Sequence, residues 1–253
     1  MSIKARDVSA SPPLVSALDG WTLREYSVVS STSLVAADLP VWEAVRADTQ
    51  TAGRGRFQRS WVSDEGGLWL SAVVPAEPPA ATALPLVAGL ALSDALHTVG
   101  VGGIRLRWPN DVLVNDLKLA GVLLDQFSPG AAVVGIGLNV SNQPEARDAD
   151  LKHRTTRLAD LLPAPPSLRA LTVLLLGQLH RAADELREKG FAALLPRVNK
   201  LWGCARRVEL DLDGVIRRGL FSGVDEAGRL VLSSETGARE AYAPHQVLHL
   251  QEI

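Results

Sequence analysis

The chain lacks the features that mark secreted, membrane and DNA-binding proteins. The presence of a single cysteine, Cys204, excludes an intrachain disulfide and favours a reducing compartment. We expect this small residue to be partly buried. The 26 basic and 28 acidic residues give a net charge of −2, whereas bulk binding to DNA needs a basic face. No run approaches the roughly 20 apolar residues of a membrane span, and the first residues lack a signal-peptide pattern. A cytoplasmic protein that contacts neither DNA nor membrane is therefore predicted.

Several familiar chemical signatures are also missing. The sequence contains no Walker A motif and no Rossmann glycine fingerprint, so any nucleotide must bind through another geometry. The histidines show neither zinc-ligand spacing nor a partnered nucleophile, which argues against a zinc site and a catalytic triad. These histidines are His97, His153, His180, His245 and His249.

The pattern of apolar residues predicts a mixed α and β chain. A Ser/Thr-rich turn and a helix start are expected over 28–39, and a polar, exposed loop over 141–156. The predicted strands cover 68–74, 105–108, 112–114, 117–126 and 132–140, and a two-residue turn at Asn115-Asp116 joins the third and fourth in a hairpin. The predicted helices cover 84–99, 168–190 and 191–202.

The pattern changes near Gly203. From Arg206 onward, short alternating strands are predicted over 207–212, 215–224, 229–233 and 240–250. Such closely spaced strands are typical of a small barrel. We therefore expect a catalytic domain over 1–203 and a C-terminal domain over 204–253.

The stretch from Gly53 to Arg56 reads Gly-Arg-Gly-Arg. Bare backbone N–H groups and guanidinium groups together can bind a phosphate or a carboxylate. A flexible surface loop with solvated arginines is the alternative. The neighbouring Trp61 and Trp69 favour a site, because large aromatic rings can stack on a base or cover a ligand.

A second polar cluster follows the strand predicted to end at Trp108. Pro109 favours an extended Trp108, and Asn110 and Asp111 then leave the strand end with an amide and a carboxylate. An Asx-type turn would explain these residues without function. The functional interpretation places Asp111 beside a magnesium ion or a phosphate-binding lysine.

Lys118 stands in an otherwise apolar segment, between Leu117 and Leu119. It is one of only five lysines among 26 basic residues, so its presence suggests that a compact ammonium is required. A snorkelling surface lysine is the alternative. Gly121 follows, small enough to let a ligand lie close to the backbone.

Together, and in this order, the motifs resemble those of the biotin protein ligase family. The matching segments are Ser31-Thr32-Ser33, Gln50 with Gly53 to Arg56, Arg107 to Asp111, Lys118 to Gly121, and Gly135 to Asn139. The resemblance covers about residues 25–253. It implies an α+β fold: a mixed β-sheet flanked by helices, of the class II aminoacyl-tRNA synthetase-like, biotin–lipoate ligase type, with a small C-terminal SH3-like β-barrel.

The resemblance also implies a two-step reaction. Biotin and ATP, with Mg²⁺, form biotinyl-AMP, and the biotin then passes to a lysine of a biotin carboxyl carrier domain of an acyl-CoA carboxylase. The implied catalytic residues are Lys118 and Arg54, and Asp111 is the implied magnesium ligand. The implied biotin-binding residues are Ser31, Thr32, Ser33, Gln50, Gly53, Arg54, Gly55, Arg56, Lys118, Gly121 and Leu123. The implied ATP-binding residues are Arg54, Arg56, Trp61, Asn110, Asp111, Lys118 and Asn139.

Three departures from the family pattern stand out: Ser33 in place of Asn, Arg107 in place of a frequent Lys, and Phe57-Gln58 in place of a glycine-containing continuation. About 25 residues precede the matching region, too few for the DNA-binding domain of the repressor members. A monofunctional ligase, monomeric or weakly dimeric, is therefore expected.

Three rival interpretations remain. A lipoate or octanoate ligase or transferase has the same fold, but its Arg-Arg-x-x-Gly-Gly-Gly pattern is absent. A DNA-binding sensor of biotinyl-AMP conflicts with the slightly acidic composition. An inactive scaffold conflicts with the joint presence of Lys118, Arg54 and Asp111.

Overall fold

The protein is described by a computed structural model over residues 12–77, 80–148, 151, 154–234 and 237–253. His153 and part of the predicted polar loop lie outside the described residues. In the part that is described, no helix is both long and apolar enough to cross a membrane.

An eight-stranded sheet forms the centre of the molecule, with the order β1-β2-β3-β4-β8-β7-β6-β5. The pair β2–β3 is parallel and the other pairs are antiparallel, which confirms the predicted mixed sheet. Its strands are β1 (Leu14–Leu18), β2 (Trp21–Val29), β3 (Glu43–Gln50), β4 (Leu68–Ala76), β5 (Ile104–Arg107), β6 (Asp111–Val114), β7 (Leu117–Ser128) and β8 (Gly130–Leu138).

Helices cover this sheet. The helix α2 is apolar around most of its circumference, because it packs between α4 and the sheet. The helix α4 starts at Ser167, whose Oγ accepts a hydrogen bond from the Ala170 N–H at 3.2 Å, and it ends at Gly190 with φ of 74°. The helices are α1 (Thr32–Ala36), α2 (Leu84–Thr98), α3 (Leu158–Leu161), α4 (Leu168–Lys189) and α5 (Phe191–Lys200).

The predicted hairpin around residues 115 and 116 is confirmed. Asn115 and Asp116 have φ values of 51° and 62°, the left-handed pair that a two-residue hairpin turn needs. This turn aligns β6 with β7 and brings Asp111 opposite Gly121. It thereby places the two polar motifs on neighbouring strands.

A five-stranded antiparallel sheet lies where the small barrel was predicted, with the order β12-β11-β10-β9-β13. The single strand expected over 240–250 is wrong, because a short 3-10 turn at Pro244–Gln246 divides it into two. No pairing between β12 and β13 is found in the described part of this sheet, so its closure into a barrel stays a prediction. Its strands are β9 (Arg206–Leu212), β10 (Val215–Val224), β11 (Leu230–Ser233), β12 (Arg239–Tyr242) and β13 (His249–Glu252).

The two sheets share buried contacts. Trp202 and Phe221 meet edge to face with ring centroids 5.2 Å apart, and the Trp108 indole N–H donates to the Gly228 carbonyl at 3.2 Å. Arg105 also holds Glu252 through two hydrogen bonds of 2.6 and 3.0 Å. The boundary at 203/204 stays a prediction, but the side chains on its two sides pack in one apolar cluster.

Two local predictions are wrong, and three strands were missed. The segment 141–156 is not uniformly exposed, because Asn142 and Thr156 are buried under hydrogen bonds to the end of β8 and to Lys118. Cys204 is exposed rather than partly buried, and so are its neighbours Gly203 and Ala205. Strands β1 to β3 were not predicted, because their apolar and polar residues do not alternate regularly along the chain.

Candidate active site

One cleft of about 550 Å³ opens beside strands β6, β7 and β8. The arginine loop, residues 53–61, forms one wall, and the segment before β13 contributes Val247 and Leu248 to another. Every residue predicted for the site lines this cleft except Gly53, which lies behind the wall. The structure thus brings together motifs that are more than 100 residues apart in sequence.

One end of the cleft is lined by neutral polar groups arranged in a directed chain of hydrogen bonds. The backbone N–H and the hydroxyl of Thr32 both donate to Gln50 Oε1, at 2.8 and 3.0 Å. Because that hydroxyl has one hydrogen, the Ser71 hydroxyl must donate to it across 2.7 Å. Gln50 Nε2 donates to Ser63 Oγ at 2.8 Å, and Ser63 donates to the Trp61 carbonyl at 3.0 Å.

Residues Ser31 and Ser33 form a separate pair, with their hydroxyl oxygens 3.1 Å apart and both residues buried. Ser31 stands at the start of α1, but its side chain does not cap the helix. The hydroxyl therefore turns toward the cleft wall, where it meets Ser33 instead of a backbone N–H.

Sequence analysis missed Ser63 and Ser71. Ser71 is fully buried in the middle of the apolar strand β4, and a lone serine in such a strand is a signal that could have been read. Ser63 lies in an irregular segment with no comparable pattern. Its role is visible only once Gln50 is placed beside it.

The other end of the cleft holds charges. Lys118 Nζ lies 2.6 Å from one carboxylate oxygen of Asp111, and an Arg107 nitrogen lies 2.8 Å from the other. Burial would raise the pKa of Asp111, but the charges and hydrogen bonds of Lys118 and Arg107 outweigh it and lower that pKa. Asp111 is therefore an anion flanked by two cations, which agrees with the prediction that it lies beside a lysine.

The backbone of Lys118 is held independently of its side chain. Its N–H donates to the Arg154 carbonyl, and its own carbonyl accepts from the Thr156 N–H, both at 3.0 Å. These bonds make a parallel bridge between Lys118 and Thr155. The segment predicted to be a solvated loop thus fixes the strand that carries the central cation.

The arginine loop is a closed turn. The Gly55 N–H donates to the Arg59 carbonyl at 2.7 Å, and the Trp61 N–H donates to the Gly53 carbonyl at 2.9 Å. The left-handed positions are Phe57 and Gln58, with φ of 53° and 58°, rather than the two glycines. Gly53 is needed for space, because a Cβ there would stand 2.4 Å from Ser63 Oγ.

The two arginines of this loop differ. Arg54 makes one long contact of 3.4 Å to Asp125, and 37% of its side chain is exposed. Arg56 is bound to the C-terminal unit, because its Nη2 donates to the carbonyls of Pro244 and Val247 at 2.7 and 3.3 Å. Burial lowers the pKa of Arg56, against the opposing charge of Asp111. Arg56 therefore has protein partners without a ligand, and its contact with biotin or ATP stays a prediction.

The two tryptophans that flank the loop also differ. Trp69 is fully buried, and its indole N–H donates to the Asp64 carbonyl at 3.0 Å, so it is a core residue. Trp61 lines the cleft, with Lys118 Nζ 4.9 Å from its ring centroid. Of these two tryptophans, only Trp61 is placed to contact a ligand in the cleft.

The two predicted asparagines are already hydrogen-bonded. Asn110 Nδ2 donates to the Val122 carbonyl at 2.7 Å, and Asn139 Nδ2 donates to the Thr156 carbonyl at 3.2 Å. Asn139 Oδ1 also accepts from Asn142 at 3.0 Å. Both side chains therefore support the cleft wall as well as lining it.

The cleft is basic although the whole chain is slightly acidic. Its lining contains six arginine or lysine side chains and three aspartates, against a net charge of −2 for the chain. Among the described residues, no group of three histidine, cysteine or carboxylate side chains could hold a metal. The arrangement suits anionic ligands held by cations.

The chain is similar to known proteins of one family. Residues 27–141 match the Biotin/lipoate A/B protein ligase family. The Biotin--[acetyl-CoA-carboxylase] ligase of Mycobacterium tuberculosis is 34% identical over 94% of this chain and 93% of its own length. The Bifunctional ligase/repressor BirA of Escherichia coli is 31% identical over 86% of this chain and 71% of its own length.

Among solved structures, the biotin protein ligase from Aquifex aeolicus in complex with biotin and ATP is 28% identical. It superposes with a TM-score of 0.82 over 91% of this chain and 99% of that one. The chain therefore belongs to the biotin/lipoate A/B protein ligase family. Within that family, the Mycobacterium tuberculosis relative and the Aquifex aeolicus structure are biotin ligases.

Proposed function

We propose that this cleft activates biotin with ATP and passes it to a lysine of a carrier domain. The observation that carries the proposal is that a neutral hydrogen-bonding end and a cationic end meet in one cleft. Biotin has a neutral ureido group at one end and a carboxylate at the other. The neutral end of the cleft can therefore bind the ureido group, and its cationic end can bind the carboxylate.

The neutral end fits the ureido head. A urea has one carbonyl acceptor and two N–H donors, and Ser31, Thr32 and Gln50 present hydroxyl and amide groups there. Lipoate and octanoate carry no comparable polar group at the end remote from their carboxylate. Either acid would exclude water from this end of the cleft and bring no hydrogen-bond partner to the polar groups that face it, which disfavours both.

The cationic end fits the reaction centre. In the first step an oxygen of the biotin carboxylate attacks the α-phosphorus of ATP, and the bond from that phosphorus to the bridging oxygen breaks. Biotinyl-AMP forms and pyrophosphate leaves. Lys118 and Arg54 would stabilise the charge that builds on the phosphoryl oxygens, while Trp61, Asn110 and Asn139 line the nucleotide side.

In the second step the amine of a carrier lysine attacks the acyl carbon of biotinyl-AMP. An amide bond forms, AMP leaves, and the lysine proton is released. The carrier is a biotin carboxyl carrier domain of an acyl-CoA carboxylase, as the family relationship suggests. The monomeric or weakly dimeric state and the roles of Gly53, Gly55, Arg56, Gly121 and Leu123 at the biotin stay part of this proposal.

A resident magnesium site does not fit the residues present. Both carboxylate oxygens of Asp111 already accept from cations, Lys118 and Arg107. Mg²⁺ is therefore proposed only as the ion that accompanies the polyphosphate of ATP, with no protein ligand assigned.

The test is ATP–pyrophosphate exchange measured with biotin, lipoate and octanoate in parallel. We expect kcat/KM for biotin to exceed that for either other acid by at least about 100-fold, since a polar pocket rejects a ligand that leaves it unpaired. Exchange driven equally well by lipoate would overturn the assignment. Mass spectrometry of a carrier domain after incubation with biotin and ATP tests the second step.

A further inference from the structure

Two glycines lie side by side on neighbouring strands in the floor of the cleft. Gly121 of β7 is paired with Gly137 of β8 in the antiparallel register. The indole ring of Trp61 lies directly on this pair. A Cβ at Gly137 would stand 2.5 Å from Trp61 Nε1, and one at Gly121 would stand 3.1 Å from Cζ3. A side chain at Gly137 would exclude the ring from this place, and one at Gly121 would crowd it.

Trp61 is anchored through its backbone, but its ring is not held by a hydrogen bond. The Trp61 N–H donates to Gly53, and its carbonyl accepts from Ser63. Its Nε1 is buried and finds no acceptor among the described residues. The glycine slot, defined as the surface over Gly121 and Gly137, therefore determines where the ring lies.

The ring in turn borders the central cation. Lys118 Nζ lies 4.9 Å from the centroid of the Trp61 ring and 2.6 Å from Asp111. An ammonium at that distance is attracted by the electron-rich face of an indole. Moving the ring would remove one of the contacts that place the ammonium.

We propose that Gly121 and Gly137 are positioning residues that seat Trp61 beneath Lys118 and thereby place the Lys118 ammonium at the meeting point of the two substrates. The glycines act through the indole ring rather than by touching a ligand. The role in catalysis rests on the proposed function, whereas the seating of the ring does not.

The competing explanation is that the glycines let a ligand lie directly on the backbone. Both explanations predict that Gly137→Ala harms the enzyme, so a single variant does not separate them. They differ in whether the loss of activity caused by Gly137→Ala depends on the presence of the indole ring of Trp61. The chain also offers a matched control, because a Cβ at Gly135 on the same strand would make only ordinary contacts, the nearest at 3.6 Å, and none with Trp61.

The first test needs no ligand. In protein labelled with ¹⁵N-tryptophan, the chain's six indole N–H groups give separate signals, and Trp61→Ala identifies that of Trp61. We expect Gly137→Ala to move this signal most, Gly121→Ala to move it less, and Gly135→Ala to leave it in place. The unmoved signals of the other tryptophans report that each variant is folded. An unmoved Trp61 signal in Gly137→Ala would overturn the proposal.

The second test is a double-mutant cycle in biotin-dependent pyrophosphate exchange. We expect Gly137→Ala to lower kcat about tenfold or more in the wild-type background, with a smaller change in KM for biotin. In the Trp61→Ala background the same change should cost less than about twofold, because the ring it displaces is gone. An equal loss in both backgrounds would mean that the methyl group blocks a ligand directly.

The control variant and the wild type distinguish a failure of the glycine-slot proposal from a failure of the proposed function. Any loss caused by Gly135→Ala should be the same with and without Trp61, since the two residues do not touch. If wild-type protein shows no biotin-dependent exchange at all, the proposed function fails. The indole signals would still decide whether the glycine slot seats Trp61.

Discussion

The neutral end and the cationic end of the cleft use opposite strategies. At the neutral end, Thr32, Gln50 and Ser71 satisfy one another through bonds of 2.7 to 3.0 Å. At the cationic end, Asp111 accepts from two cations, Lys118 and Arg107, and its charge also acts on Arg56. The neutral network is held in place without a ligand, whereas the cationic end retains excess positive charge.

The difference separates recognition from chemistry. A prearranged neutral network costs little to desolvate and selects a ligand by its pattern of donors and acceptors. A cluster with excess positive charge is not neutralised until anionic ligands bind. It stabilises most strongly the atoms on which negative charge develops in the transition state. Variants at the neutral end should therefore change KM, and variants at the cationic end should change kcat.

The largest expected effect is that of Lys118→Ala. Removing the central ammonium should lower the rate of biotinyl-AMP formation about 10²–10³-fold, because a charge-assisted contact to the transition state is lost. Pyrophosphate exchange measures the rate, and circular dichroism checks the fold. Lys200→Ala, at an exposed lysine at the end of α5, is the matched control and should leave exchange unchanged. A Lys118→Ala enzyme that keeps more than about a tenth of the exchange would contradict the role.

The two arginines of the loop offer a finer contrast. Arg56→Gly should release biotinyl-AMP more readily than Arg54→Gly, because only Arg56 ties the loop to Pro244 and Val247. We expect biotin on an unrelated lysine-rich protein to rise about tenfold for Arg56→Gly, read by a streptavidin blot. Arg56→Gly alone should also lower the melting temperature. Greater labelling by Arg54→Gly, with both variants still making the adenylate, would reverse the assignment.

The sequence predicted the cationic end better than the neutral end. Lys118, Asp111 and Arg54 are charged residues in unusual surroundings, and their order along the chain is informative by itself. Ser63 and Ser71 are common residues whose function depends on a neighbour far away in sequence. Burial in an apolar strand could have marked Ser71, but its bond to Thr32, and the bond that Ser63 accepts from Gln50, become visible only when the partners are placed together.

The fold shows the same division. Helix α2 and the β6–β7 hairpin were predicted because their signals are local: an apolar run that ends at glycines, and a two-residue turn. The contacts of Arg56 with Pro244 and Val247 were not predicted, because no local pattern indicates that the C-terminal unit lies against the loop. Contacts between distant segments decide such cases.

At the neutral end, Thr32→Val should raise KM for biotin about tenfold with little change in kcat. Valine keeps the shape but removes the donor to Gln50 Oε1 and the acceptor that Ser71 needs, so a buried hydroxyl is left without its partner. Thr98→Val, at an exposed threonine at the end of α2, is the matched control and should not change KM. A fall in kcat with unchanged KM would show that the neutral end participates in the chemical step.

The smallest effect in the working pH range is expected from the titration of Asp111. Its pKa is lowered in the folded protein, since the charges of Lys118 and Arg107 outweigh burial. A carboxyl with a lowered pKa stabilises the fold above its unfolded pKa, about 3.9, and that contribution is lost as the pH falls through the lower folded value. Asp111 should therefore stay ionised from pH 8 to pH 5 and contribute no inflection to the exchange rate there.

Urea unfolding of wild type and Asp111→Asn at a series of pH values measures this contribution. We expect a stability difference that is constant from about pH 8 to pH 5 and shrinks below about pH 4, as the wild-type carboxyl gains its proton. Asp116→Asn is the control at an exposed carboxyl paired with Arg105, where solvent screening should leave a much smaller difference. A difference between wild type and Asp111→Asn that closes between pH 5 and pH 7 would mean that burial dominates and the pKa is raised. The cationic end would then hold one negative charge fewer than its geometry indicates.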